Sequence, residues 1–250
     1  MTAKPSRKRL DALLVERGLA DSLQKASGMI LAGEVRVDGA RVDKAGSRFP
    51  EEARIEVNSR AEKYASRGGI KLEGALADFC VDPQGHVCLD VGASTGGFTD
   101  CLLQHGAARV YALDVNVDQL DWKLRRDQRV IPVNRNARDL RAEDIRESAD
   151  LVVVDVSFIS VSKVLAPAAA VAKRGADLLI LVKPQFELPR QDVSPGGIVT
   201  DTSLHQKAIA AVRDAAIAAA LEVLGVRASR LPGAEGNQEY FLHARKKLLE

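Results

Sequence analysis

Cysteine is scarce in this sequence, and its three copies, Cys80, Cys88 and Cys101, are odd in number and show no C-x-x-C spacing. That excludes a disulfide framework and a cysteine-built metal site, and the apolar segments around them predict buried thiols in a reducing, cytoplasmic compartment. The basic start, Met-Thr-Ala-Lys-Pro-Ser-Arg-Lys-Arg, has no apolar run behind it, so no signal peptide is expected. No uncharged stretch is long enough for a membrane span: Ala208–Leu224 is alanine-rich but holds Arg213, Asp214 and Glu222, and reads as a packed helix. Tryptophan occurs once, Trp122, and its usual burial predicts a place in the core. The net charge is only +2, yet residues 1–66 carry +3 and the remainder −1. The excess gathers at Lys4, Arg7, Lys8 and Arg9, a basic arm. With 250 residues, 46% hydrophobic and 28% charged, the chain has room for one large domain and a small one.

What is present centres on Cys88-Leu-Asp-Val-Gly-Ala-Ser-Thr-Gly-Gly-Phe-Thr-Asp-Cys-Leu-Leu103. An apolar run ends in an acid, passes through a glycine-rich turn and becomes amphipathic, which predicts strand, tight loop and helix. Glycines 92, 96 and 97 are expected to turn the backbone with positive φ, and a helix starting near Gly97 aims free N–H groups at the same spot. A P-loop would end in Gly-Lys-Ser/Thr, and a dinucleotide fingerprint would have glycine at Ser94. Asp90 precedes the loop, and Asp114 closes the next apolar run, where an acid is placed to take ribose hydroxyls. Carboxylates without a phosphate-neutralising lysine suit a positively charged nucleoside such as S-adenosylmethionine; another nucleotide and a purely structural turn remain the alternatives.

Taken in order, Leu10, Leu13 and Leu14, and then Leu23, Ala26, Ile30 and Leu31, predict two short helices. Glu34–Val42 reads as two strands about an Asp38-Gly39 turn, with Arg54–Val57 a third. Arg9, Arg17, Lys25, Arg36, Arg41 and Lys44 fall on polar faces. Asn58–Ser66 reads as a linker, and Ile70, Leu72, Leu76 and Phe79 predict an apolar helix face. Strands and helices then alternate: strand 109–114, helix about 117–126, strands 130–133 and 150–155, helix about 161–172, strand 176–183, helix 203–221 with a Ser203–Gln206 capping box, and strands near 223–228 and 239–244. This rhythm predicts an α/β, doubly wound, Rossmann-like sheet with its ligands at the carboxyl ends of the strands.

Two strands end in charge. Leu151-Val-Val-Val-Asp155 delivers a carboxylate and Leu178-Leu-Ile-Leu-Val-Lys183 an ammonium, which predicts that they face each other across the crevice as a site or as a structural ion pair. Phe186–Thr200 is a Pro/Gly-rich segment beside Lys183 and a candidate lid.

Two resemblances add to this. Arg-Leu-Asp-x-Leu-Leu-Val-Glu-Arg-Gly-Leu-Ala, Ser22, Ala26, Ile30 and Gly-x-Val-x-Val-x-Gly-x-x-Val resemble the alpha-L RNA-binding motif of the ribosomal-protein-S-four type. Leu-Asp-Val-Gly-Ala-Ser-Thr-Gly-Gly-Phe-Thr-Asp, Arg135-Asn-Ala-Arg138, Asp155-Val-Ser-Phe-Ile-Ser160, Leu-Val-Lys183-Pro-Gln-Phe-Glu187, Pro195-Gly-Gly-Ile-Val199 and Gly236-Asn-Gln-Glu239-Tyr-Phe241 resemble the TlyA family, in which that module precedes an FtsJ-like methyltransferase domain. The resemblance implies domains at 1–59 and 67–250 joined by a 60–66 linker. It implies an S-adenosylmethionine-dependent 2′-O-methyltransferase acting on cytidine in ribosomal RNA of the large subunit, with the small subunit a second candidate. A Lys71, Asp155, Lys183 and Glu239 tetrad is implied, with Lys183 the proton acceptor. Cofactor contacts are expected from Asp90, Gly92, Ala93, Ser94, Thr95, Gly96 and Phe98 on the methionine side, Asp155 near the methyl, Asp114 at ribose, and Asn136, Ala137 and Arg138 near adenine. RNA contacts are expected from Arg7, Lys8, Arg9, Arg17, Lys25, Arg36, Arg41, Lys44 and Arg67. Ribosomal subunits are the implied partner, with no metal and no membrane. A membrane-acting haemolysin-like protein and a non-catalytic RNA-binding assembly factor are the rival readings.

Overall fold

The alternation of apolar and ionisable residues along the chain is realised in a computed structural model that describes residues 7–20, 22–31, 33, 35–57, 63–233 and 236–248. The chain divides into two units, Met1–Glu62 and Lys63–Glu250. Lys4 of the basic arm and residues 58–62 at the expected linker lie outside the described residues.

In chain order the first unit runs β1 (Arg7–Arg9), α1 (Leu10–Glu16), α2 (Leu23–Leu31), β2 (Val35–Val37), β3 (Ala40–Arg41), β4 (Arg48–Pro50) and β5 (Ile55–Val57). β2 lies between β3 and β5, antiparallel to both. Asp38 and Gly39 both take positive φ, the conformation a two-residue hairpin needs. Leu10, Leu14, Ala26, Ile30, Val35 and Val37 form the core. Leu23 and Leu31, expected on the buried face of α2, are instead exposed, because only Ala26 and Ile30, four residues apart, share the inner face of this nine-residue helix. The β1–β4 pair escaped sequence reading because Arg-Lys-Arg and Arg-Phe-Pro carry no apolar alternation.

The second unit runs α3 (Arg67–Phe79), β6 (Val87–Val91), α4 (Gly97–Gln104), β7 (Arg109–Asp114), α5 (Trp122–Arg126), β8 (Val130–Asn134), β9 (Ala149–Val154), α6 (Ser162–Val171), β10 (Ala172–Val182), α7 (Pro184–Glu187), α8 (Thr202–Ala218), β11 (Leu221–Ala228) and β12 (Tyr240–Lys246). Its seven strands are ordered β11-β12-β10-β9-β6-β7-β8, with β12 antiparallel to both neighbours. Strand alternation fills two cores. Val152, Val154, Leu178, Ile180 and Val182 face one side of the sheet, and Leu151, Val153, Leu179 and Leu181 face the other. Each such side chain, fully buried, contributes about 1.5–3 kcal/mol of transfer free energy.

Residues 63–66 of the expected linker fold with this unit: Tyr64 is buried, and Ser66 caps α3, its hydroxyl accepting from the Gly68 N–H at 3.3 Å. Six further expectations are corrected. The 117–126 helix is split at Leu120, whose extended backbone separates a 3-10 turn from α5. Asp201, not Ser203, caps α8, accepting from the Ser203 N–H at 2.8 Å. That helix stops at Ala218, and Ala220 with φ +59° turns the chain into β11, so Leu221–Leu224 is strand. Cys80 is exposed at the left-handed end of α3, while Cys88 and Cys101 are buried. Ile70 and Trp122 face solvent, since Leu72 and Leu76 on α3, and Leu120 and Leu124 about α5, take the inward positions. Among the described residues no helix is long and apolar enough to cross a membrane.

Candidate active site

The strand register sets the site. Val91 and Ile180 both lie opposite Val154, Leu113 lies opposite Val91, and Val182 lies opposite Tyr240. The residues just beyond these rungs are Gly92, Asp114, Asp155, Lys183 and, on the antiparallel strand, Glu239. All therefore emerge at one edge of the sheet. The loop after β6 is fastened there, with the Gly92 and Ala93 N–H groups donating to Leu113 O at 2.8 and 3.0 Å. Gly92 has φ +90°, and a Cβ on it would lie 2.2 Å from Asp155 O, so no other residue fits without movement. The expectation of positive φ fails at Gly97, which is helical; a Cβ there would lie 3.0 Å from Gly69 N, so glycine is required by the approach of α3.

Two adjoining cavities follow this loop. One, of about 200 Å³, is lined by Lys71, Gly92, Ala93, Ser94, Thr95, Phe98, Asp155, Ser157 and Lys183, with Ser66, Arg67 and Pro232 among the rest. The other, of about 420 Å³, is lined by Gly92, Ser94, Asp114, Arg135, Asn136, Ala137, Arg138, Asp155, Ser157 and Phe158, among others. Gly92, Ser94, Asp155 and Ser157 border both, making one crevice. Asp114 shapes it: its carboxylate accepts from the N–H groups of Ser94 (2.9 Å) and Asn116 (3.0 Å). Asn136 accepts from the Arg138 N–H at 3.1 Å and so folds the far wall.

Two ion pairs sit at the narrow end. Lys183 Nζ lies 2.5 Å from Asp155 Oδ1 and donates to Ser157 Oγ at 2.8 Å. Lys71 Nζ donates to Glu239 Oε2 at 2.5 Å; Lys71 is 9% exposed and Glu239 2%. Two ammonium groups and two carboxylates are neutral in sum, which is what allows four ionisable groups to be withdrawn from water together. Lys71, Asp155 and Lys183 reach the cavity surface, whereas Glu239 stands behind Lys71.

Two expected cofactor residues are not at the crevice surface. Gly96 is covered by Leu120 and Leu124. Asp90 is wholly buried behind the loop, with Oδ2 accepting from Thr99 Oγ1 at 2.7 Å and Oδ1 unpartnered. Burial, with smaller additions from Asp155 and Asp114, pushes the Asp90 carboxyl up to about 7 against the opposing Thr99 hydrogen bond.

The expected lid, 186–200, is fastened at several points. Burial raises the Glu187 carboxyl, which accepts from Ser160 Oγ (2.6 Å) and the Val161 N–H (2.9 Å). Asn237 accepts from the Val199 N–H (2.8 Å) and donates to Gly197 O (2.9 Å). Sequence reading missed Ser66, Ser157 and Asn237. Ser157, two residues past the strand-ending Asp155, carried a positional signal, while Ser66 and Asn237 carried none outside the fold.

Lys8 pairs with Glu16 (2.8 Å) and Arg9 with Asp11 (2.6 Å), while Arg7, Arg17 and Arg36 donate to the carbonyls of Arg48, Ala53 and Gly39. Lys25, Arg41 and Lys44 are exposed on the first unit, and Arg67 is exposed on the second. Among the described residues no group of three or more His, Cys, Asp or Glu side chains is arranged to hold a metal ion.

Residues 64–246 match the FtsJ-like methyltransferase family and residues 8–55 the S4 domain family. The chain is 47% identical over 241 residues, 96% of its own length and 90% of the relative's, to the Mycobacterium tuberculosis protein named 16S/23S rRNA (cytidine-2′-O)-methyltransferase TlyA. It is 42% identical to Hemolysin A of Brachyspira hyodysenteriae, covering 94% of this chain and 98% of that one. A solved structure described as "Putative hemolysin from Streptococcus thermophilus" superimposes with a TM-score of 0.76 at 37% identity, over 98% of this chain and 90% of that one.

Proposed function

Because the chain belongs to the TlyA family, FtsJ-like methyltransferases that carry an S4 domain, we propose that it methylates the 2′-hydroxyl of cytidine in ribosomal RNA, as the Mycobacterium tuberculosis relative's name states of that protein. The reading rests on one observation above all: Lys71, Asp155, Lys183 and Glu239, scattered over the sequence, converge beside the glycine loop. Cytoplasmic ribosomal subunits are the partner, with the large subunit the first candidate. Of the two units, Met1–Glu62 carries the RNA-recognising module and Lys63–Glu250 the catalytic one.

S-adenosylmethionine fits the crevice on this chain's own features. Gly92 lines both parts of the crevice, the loop has no lysine to receive a pyrophosphate, and carboxylates at Asp114 and Asp155 suit a cation. The methionine end belongs in the part of the crevice beside the glycine loop. Gly92, Ala93, Ser94, Thr95 and Phe98 would hold that end, Asp114 the ribose hydroxyls, and Asn136, Ala137 and Arg138 the adenine. When bound, the cofactor supplies an electrophilic methyl group on a positively charged sulfur.

The remaining work belongs to protein side chains. A ribose hydroxyl is a weak nucleophile until its proton has somewhere to go. Lys183, once it has given its own proton to solvent, accepts the hydroxyl proton, and Asp155 and Ser157 hold the ammonium so formed. Lys71, fixed by Glu239, donates to the hydroxyl oxygen and orients its lone pair. The test is transfer of labelled methyl from S-adenosylmethionine to isolated large and small subunits. Transfer by the wild type and its loss in Lys183→Met support the reading, and cofactor binding without transfer to either subunit favours the assembly-factor alternative.

A further inference from the structure

The only tryptophan of the chain is 55% exposed, although tryptophan offers more apolar surface to bury than any other side chain. It stands on α5, whose inner face is fixed to the glycine loop: Leu120 and Leu124 cover Gly96, and the Asp121 N–H donates to Thr95 O at 3.1 Å. Thr95 lines the catalytic cavity, so Trp122 is anchored one residue layer from it.

Cations surround the indole. Arg126 lies 5.3 Å and Lys123 6.0 Å from the ring centroid, and Arg125 is exposed beside them. Among the described residues none of the three is ion-paired; of the two acids that flank them, Asp127 is taken by Arg129 at 2.7 Å and Asp121 caps α5, accepting from the Lys123 N–H at 2.8 Å. An aromatic face amid unneutralised cations matches a strand that alternates planar bases with phosphates, since the base stacks while the charges meet the backbone. A protein surface would have to supply both an apolar pocket and acids, and a membrane would ask for more apolar area than one indole.

We propose that Trp122, Lys123, Arg125 and Arg126 form a second RNA contact, carried by the methyltransferase unit, in which Trp122 stacks on an unpaired base near the target nucleotide. The proposal rests on the RNA-methylating reading and extends it, because it assigns affinity for RNA to a surface outside the S4 domain.

The sole tryptophan reports on itself. Titrating the full chain with a short unstructured oligoribonucleotide of cytidines is expected to quench its emission to saturation. Replacing Lys123, Arg125 and Arg126 together by Gln should weaken binding about tenfold and reduce the slope of log Kd against log salt by about 2, at about 0.7 per single-strand phosphate contact. Trp122→Ala should raise KM for ribosomal subunits about tenfold with kcat and S-adenosylmethionine affinity within about twofold, and Trp122→Phe should restore most of the loss. Absent quenching together with an unchanged subunit KM in Trp122→Ala, in a protein that methylates subunits, overturns the patch and leaves the activity reading standing. If the wild type methylates neither subunit, the activity reading falls, and the quench alone then decides for or against the patch.

Discussion

Removing the carboxylate from the Lys71–Glu239 pair separates stability from catalysis. Both partners are almost wholly buried, so Glu239→Leu leaves an ammonium out of water with no counterion. Breaking a buried pair in this way costs about 3–5 kcal/mol. For a unit of this size each kcal/mol shifts Tm by about 2–4 °C, so calorimetry should show a drop of about 6–20 °C. Replacing both partners, Lys71→Met with Glu239→Leu, puts apolar side chains of similar volume in their place and should return Tm to near the wild-type value. Methyl transfer should not return with it. If Lys71 orients the attacking hydroxyl, both the single and the double variant lose about two orders of magnitude in kcat, the cost of misplacing a reacting group by about an ångström. A double variant that regains both Tm and wild-type turnover would refute the reasoning, because the pair would then be structural only.

Three further outcomes follow from the same geometry. The Asp90 carboxyl titrates near 7 in the folded chain because of burial and in the usual carboxylate range when unfolded, so the folded state binds the extra proton. Stability of the ligand-free protein should therefore be full below about pH 4 as far as this group is concerned and fall as pH rises to about 7, a slope that Asp90→Asn removes in denaturant titrations at several pH values. Gly92→Ala forces a Cβ against Asp155 O at an unfavourable φ, and calorimetric titration should show S-adenosylmethionine affinity reduced at least tenfold. Asp114→Ala frees the N–H groups of Ser94 and Asn116 and removes the ribose acceptor, which should weaken cofactor binding about 10- to 100-fold in the same measurement.

The parts of this protein legible in its sequence are those where a local pattern has one structural outcome. Val-Val-Val-Asp155 and Leu-Ile-Leu-Val-Lys183 could only be buried strands ending in charge, and strands of one parallel sheet deliver such ends to one edge. Asp38-Gly39 between Val35-Arg-Val37 and Ala40-Arg-Val42 could hardly be anything but a hairpin turn. Illegible were choices made by neighbours distant in the chain. Gly97 is required because α3 packs on it, and Trp122 is expelled because Leu124 takes the inner position of a five-residue helix and Leu120, just before that helix, is buried beside it. Asp90 sits behind the crevice and not in it, since Thr99, one helix along, turns the carboxylate inward. Lys71 illustrates the limit. Its helix pattern suits a surface lysine, and only the approach of Glu239, 168 positions later, makes it a buried one.

Nucleoside analysis of ribosomal subunits incubated with this protein and S-adenosylmethionine is the most direct measurement. The account predicts 2′-O-methylcytidine as the product, formed by the wild type and absent with Lys183→Met, which should still bind the cofactor. A methyl group found on a base, or undiminished 2′-O-methylcytidine with Lys183→Met, would contradict it.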